Sequence, residues 1–161
     1  MPLLIALLSM FGANMSQPES AALVSRHEEV WLASQPNEHD LDAWAAAGAR
    51  TVINSRTPEE TAGLPFDLAA AVEARGMRYV EMPIGGAYGA DPAHTRALAD
   101  ILDAADGPVV MHCRSGTRSA HLYAAHLISS GQAGDDAFDT MEWPGGRDNN
   151  LVRSLLPPGQ E

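Results

Sequence analysis

The chain has 161 residues and an apolar fraction of 45%, enough for one domain with a real core. Its formal net charge is −11 and its ten basic residues are all arginine, which argues against nucleic acid or an anionic membrane as the main partner. A single cysteine excludes an internal disulfide, and no cluster with zinc-ligand spacing occurs, so no metal and no cofactor are expected.

Residues 2–13 are almost wholly apolar but too short to span a bilayer, and no basic residue precedes Arg26. Three readings stand: a weak export signal, a docked or frayed segment, or an upstream start with Met15 as the first true residue. The non-export reading is adopted, with a cytoplasmic location and no stable membrane insertion. Residues 14–27 are polar and read as a loose lead-in. Glu29 to Ala33 reads as a first strand. Asn37 to Ala47 reads as a helix stopped by Gly48. Arg50 to Asn54 is a second strand, and Ser55 to Leu64 a loop. Pro65 to Arg75 is helical, and Arg78 to Pro83 is a third strand. A glycine-rich loop, Gly85 to Gly89, leads to a helix that Asp91 and Pro92 open and that runs to about Ala105. Pro108 to His112 is a fourth strand, short, apolar and central. The helix after Cys113 ends near Gly131, and a further helix covers Asp135 to Glu142 until Trp143-Pro144-Gly145-Gly146 breaks it. Three parts result: a lead-in over 1–27, a catalytic domain over 28–145 and a tail over 146–161.

Four strands alternating with helices predict an α/β domain of three layers, α/β/α, around a four-stranded parallel sheet. Ligands of such sheets bind beyond the carboxyl ends of the strands. Cys113 sits there, in His112-Cys113-Arg114-Ser115-Gly116-Thr117-Arg118-Ser119. A lone cysteine is commonly an inert core residue. Two arginines and a glycine within the next five positions oppose that reading, because burying such charges unpaired is costly. Loop amides and the positive end of a helix favour an anion instead. The sulfur is therefore read as a nucleophile in an anion nest.

Cys-Arg-x-Gly-x-Arg, Cys113 to Arg118, resembles the loop of rhodanese-type sulfurtransferases. His112 and Ser119 around it resemble cysteine-dependent phosphatases. Both meet in the phosphatase-like domain of bacterial beta-lactamase-hydrolase-like proteins. Ser34-Gln35-Pro36, Thr51 to Arg56, Tyr79 to Gly86 and His112 to Ala120 are similar to that family's landmarks in order, over about residues 29–130. The resemblance implies a fold like that of the dual-specificity phosphatases.

Two departures from the phosphatase pattern shape the expected chemistry. Four residues separate Cys113 from Arg118 where such phosphatases have five, which narrows the cradle and removes one amide. The loop after the third strand carries Gly85 and Gly86 where they carry an acid; Asp91 is the nearest candidate for a general acid, and a helix cap is an equal reading of it. Catalytic roles are expected for Cys113 as nucleophile, Arg118 as a bidentate anion clamp and Ser119 as a hydroxyl donor to the sulfur. Arg114, Ser115, Gly116, Thr117 and Arg56 are candidate anion contacts, with a salt bridge to Glu59 or Glu60 an equal reading of Arg56. His112 is expected to pack beneath the loop and not to act as a base.

The short loop ranks a sulfurtransferase first, working through a Cys113 persulfide between a donor such as thiosulfate and a thiol acceptor. The alternative is a phosphatase that cleaves phosphate esters through phosphocysteine. A non-catalytic redox or sulfide-sensing module is a third reading.

Overall fold

The computed structural model describes residues 19–160. The apolar stretch 2–13 and the Met15 start lie outside them. Five strands form one sheet: β1 (Leu23–His27), β2 (Val30–Ala33), β3 (Thr51–Asn54), β4 (Arg78–Glu81) and β5 (Val109–His112), in the order β1-β2-β5-β3-β4. The four expected strands are all present and mutually parallel. The fifth, β1, is antiparallel to β2 and lies at the edge, inside the segment expected to be a loose lead-in. Its mostly half-buried, polar composition (Leu-Val-Ser-Arg-His) lacks the alternation that marks a strand.

Among the described residues, seven α-helices flank the sheet: α1 (Glu38–Ala46), α2 (Pro58–Ala62), α3 (Leu68–Glu73), α4 (Pro92–Ala104), α5 (Thr117–Ser129), α6 (Ala137–Thr140) and α7 (Asn149–Leu155). Side chains alternate across the buried strands, which splits the core in two. Val30, Leu32, Ile53, Val109 and Met111 pack with Leu98, Leu122, Phe138, Val152 and Leu155 from α4, α5, α6 and α7. Trp31, Val52 and Val110 pack on the other face with Leu41 and Trp44 of α1 and Leu68 and Val72 of α3. The arrangement is the expected three-layer α/β/α, with five strands in place of four.

Three further segments differ from expectation. The stretch 55–64, expected as loop, contains α2, because Thr57 and Glu60 close a capping box around Pro58. The stretch 146–161, expected as a tail, contains α7. Asp148 caps this helix, and Val152, Leu155 and Leu156 join the core. The helices expected over 65–75 and 135–142 shrink to α3, which starts after its cap Asp67, and to the single turn of α6.

No helix among the described residues is long and apolar enough to cross a membrane. No group of three or more His, Cys, Asp or Glu placed to hold a metal occurs among them either.

Candidate active site

Strand β5 lies between β2 and β3, so the chain leaving it at Cys113 emerges from the middle of the sheet. The backbone turns back within four residues to start α5 at Thr117. Gly116 makes that turn with φ of 91°, in the left-handed region where glycine is favoured. Its N–H donates to Cys113 Sγ at 3.1 Å. A Cβ at Gly116 would lie 2.9 Å from the Trp143 ring and 3.2 Å from the Ala33 carbonyl oxygen. Trp143 therefore forms the floor under the loop. Gly145 folds closely round the same indole, and Trp143 Nε1 donates to the Gly146 carbonyl at 3.2 Å.

The loop is pinned from both neighbouring strands. The Gln35 N–H donates to the Arg114 carbonyl at 3.0 Å, and the Ser55 N–H donates to the His112 carbonyl at 2.9 Å. Gln35 Oε1 also accepts from Arg56 Nη1 at 2.9 Å. Ser34-Gln35-Pro36 thus serves as a brace linking the loop to Arg56. Arg56 Nε lies 3.8 Å from Glu60 Oε1, so Arg56 takes part in the support network expected as its second reading.

Arg118 is the most heavily bonded side chain of the site. Its Nη1 donates to Glu60 Oε2 and its Nη2 to Glu60 Oε1, both at 2.8 Å. Nη1 also donates to the Ile84 carbonyl at 3.0 Å and lies 3.4 Å from that of Ser55. Among the described residues, this leaves the Nε–H and the second Nη2–H of the guanidinium with no oxygen acceptor and with the Cys113 sulfur as their neighbour. The bond to Glu60 and the neighbouring Cys113 thiol both hold Arg118 protonated. The Arg118 guanidinium in turn drives the Glu60 carboxyl down to about 2, helped by the N–H of Thr57. The sequence offers Glu60 only as a partner of Arg56; its fork to Arg118 spans 58 positions and leaves no local signal.

Cys113 is buried, with 1% of its surface exposed. Arg114 and Ser115 are exposed, and Ser115 Oγ lies 3.0 Å from Thr117 Oγ1. His112 Nδ1–H donates to the carbonyl of Cys113 at 3.3 Å, and complete burial lowers its pKa to about 4. It is a neutral support beneath the loop, as expected.

Geometry corrects one expected role and bears on another. Ser119 Oγ is fully buried and has no hydrogen-bond partner among the described residues, so its hydroxyl does not donate to Cys113 Sγ. Its place in the first turn of α5 holds it against the packed interior. Asp91 is the N-cap of α4: its Oδ1 accepts from the Ala93 N–H at 2.7 Å. His94 joins that cap and carries its Nε2 2.9 Å from the Pro83 carbonyl. Of the two readings of Asp91, the helix cap is the one its hydrogen bonds carry. Trp31 and Trp44 are fully buried core residues.

Comparison with known proteins finds relatives in sequence and in fold. The family model described as "Beta-lactamase hydrolase-like protein, phosphatase-like domain" matches residues 23–134. The beta-lactamase hydrolase-like protein of Agrobacterium fabrum is 34% identical over 99 residues, which are 60% of this chain and 23% of that protein. The chain spans about a quarter of the length of the curated relatives it matches. Among solved structures, kinase associated phosphatase with its catalytic-site cysteine changed to serine is similar at a TM-score of 0.64 and 17% identity, covering 78% of this chain and 83% of that one. TpbA of P. aeruginosa in complex with phosphotyrosine is similar at a TM-score of 0.57 and 19% identity, covering 85% and 88%. These two likenesses show a shared fold of the dual-specificity phosphatase kind. With the family model covering well over half of its length, the chain belongs to the phosphatase-like domain family of beta-lactamase hydrolase-like proteins.

Proposed function

We propose that the domain is a cysteine-dependent phosphatase acting on small phosphate esters. Cys113 Sγ, as thiolate, attacks phosphorus; an S–P bond forms, the ester P–O bond breaks, and the leaving oxygen takes up a proton. Water then attacks phosphorus, the S–P bond breaks, and inorganic phosphate leaves. The observation that carries the reading is the Arg118 guanidinium. Glu60 occupies one edge of it, and the remaining Nε–Nη2 edge suits two oxygens of a tetrahedral anion beside the thiol. The family and the phosphotyrosine complex of TpbA point the same way.

This reverses the order in which the loop spacing ranks the two chemistries. Loop length counts amides, whereas the forked Arg118–Glu60 pair supplies an oxyanion clamp that the spacing does not reveal. The sulfurtransferase reading rests on the four-residue spacing alone and stands second.

The deciding experiment offers the protein an aryl phosphate and thiosulfate in parallel and weighs the intact chain. Hydrolysis with a phosphoryl group trapped on Cys113 supports the proposal. A gain of one sulfur atom, with no phosphate release, replaces it by the persulfide reading. With Asp91 spent as a cap, aryl esters should turn over much faster than alkyl esters, since phenolates leave without a protein acid.

A further inference from the structure

The sheet has a second end. Roughly 13 Å from Cys113, one four-residue strand away, a cavity of about 500 Å³ opens at the amino ends of β2 and β5. That volume falls within the range of small-molecule sites. Its walls are apolar where Val30, Leu102 and Val109 line it. Its rim carries four exposed carboxylates, Glu28, Glu29, Asp103 and Asp106, none in an ion pair with a described residue.

Two further sources of negative potential converge there. α4 ends at Ala104 and α5 at Ser129, and the residues that follow or close them, Ala105 and His126 among them, line the cavity. Helix carboxyl ends carry partial negative charge and unpaired carbonyls. No lysine or arginine lines the cavity among the described residues.

An independent observation points to an occupant. His126, 9% exposed, lines the cavity, and its Nδ1 is buried without a hydrogen-bond partner among the described residues. Its ring stacks on Tyr123, with centroids 6.0 Å apart and planes 14° apart. Tyr123 is itself held by His27 Nδ1, 2.8 Å from its hydroxyl. Burial lowers the His126 pKa against the pull of Asp103, so the ring offers an acceptor nitrogen. An acceptor without a donor, an aromatic stack, apolar walls and an acidic rim together describe a receptor for a cation on an apolar stem.

We propose that this cavity binds a free small organic cation, a primary ammonium carried on an alkyl or aryl body. The body lies against Val30, Leu102 and Val109. The ammonium lies among the carboxylates of Asp103, Asp106 and Glu28 and donates to His126 once the ring turns its buried acceptor nitrogen toward the cavity.

The test is titration of the full chain with n-hexylammonium at about 0.15 M salt, where diffuse attraction to the acidic surface is screened, followed by two-dimensional amide NMR. Saturable shifts are expected at Val30, at 103–107 and at 126–132, with 113–118 unmoved. Neutral n-hexanol should bind at least tenfold more weakly. The double variant Asp103→Asn/Asp106→Asn should lose at least tenfold in affinity. Both positions are exposed, and unchanged resonances elsewhere report its fold. Glu28→Gln serves as a second variant with the same expected direction. The proposal is overturned if no site saturates, if hexanol binds as well as the amine, or if neither variant weakens binding. It is also overturned if calcium gives the same shifts, or if an acetylated, amidated Ala-Lys-Ala peptide binds more tightly than the free amine.

Discussion

Glu60 and Arg118 meet as two flat forks, Nη1 on Oε2 and Nη2 on Oε1, each at 2.8 Å. Glu60 Oε2 is itself held by the Thr57 N–H at 2.8 Å, so the cap of α2 sets the carboxylate and the carboxylate sets the guanidinium. Glu60→Gln keeps the shape, and glutamine can still close the capping box. It removes the charge that fixes Arg118. We expect kcat/KM on an aryl phosphate to fall at least tenfold with the melting temperature changed by only a few degrees. An unchanged kcat/KM would show that Arg118 orients itself without Glu60.

Cys113→Ser should reduce turnover to background while the chain stays folded, because the serine oxygen can still accept the Gly116 N–H that Sγ accepts now. The check is activity alongside far-UV circular dichroism. Residual turnover near the wild-type rate would place the nucleophile elsewhere.

Arg118→Lys should lose about 2–4 kcal/mol of transition-state stabilisation, tenfold or more in rate. A lysine ammonium cannot hold Glu60 with one edge of a plane and a phosphate with the other. Wild-type kinetics for this variant would remove Arg118 from the substrate site.

Stability should fall as the pH is lowered, in two steps. His112 is buried and its pKa sits at about 4, below the usual 6.5, so between those values the unfolded chain takes up a proton that the folded chain refuses. The loss by pH 4 is on the order of 3 kcal/mol. Below the usual 4.5, Glu60 adds a loss that continues to about 2, as protonation breaks its pairing with Arg118. Urea unfolding at pH 7, 5.5 and 4 measures the first step. His112→Gln should flatten the slope between pH 6.5 and 4; an identical slope would assign that step to other groups.

Trp143→Ala should destabilise the fold by about 3–5 kcal/mol and also depress activity, although no substrate contact is assigned to the indole. The ring is 3% exposed and carries Gly116 from below. Thermal melting and aryl phosphate kinetics measured together test the link. Lost stability with intact kcat would make Trp143 a core residue only.

The parts of the site that could be read directly were those written in consecutive residues. Cys113, Gly116 and Arg118 share one loop, and the strand before it and helix after it follow from local pattern and turn chemistry. The parts that could not be read are contacts across the chain. Glu60 reaches Arg118 from a different loop, Gln35 reaches Arg114 from the end of β2, and Trp143 reaches Gly116 from beyond α5. None of these leaves a periodicity. The same holds for the fold: β1 is recruited by pairing with β2, and α7 by packing on α4 and α5, after the local sequence has offered only polar or short segments. Asp91 shows the reverse case, where the local rule for a helix cap outweighed a role suggested by position.

The strand order also dictates when the molecule can become whole. β2 and β3 are made early in synthesis, yet they never touch; the gap between them is filled by β5, which hydrogen-bonds to both. A nascent chain that has not yet reached Pro108 therefore carries two incomplete half-sheets with open, facing edges, the kind of surface that invites mispairing. These long-range pairings also slow folding. The strand that closes the gap is the one that delivers Cys113, so no earlier fragment holds the loop that seats its sulfur. Sheet closure and the seating of the Cys113 loop are a single late event.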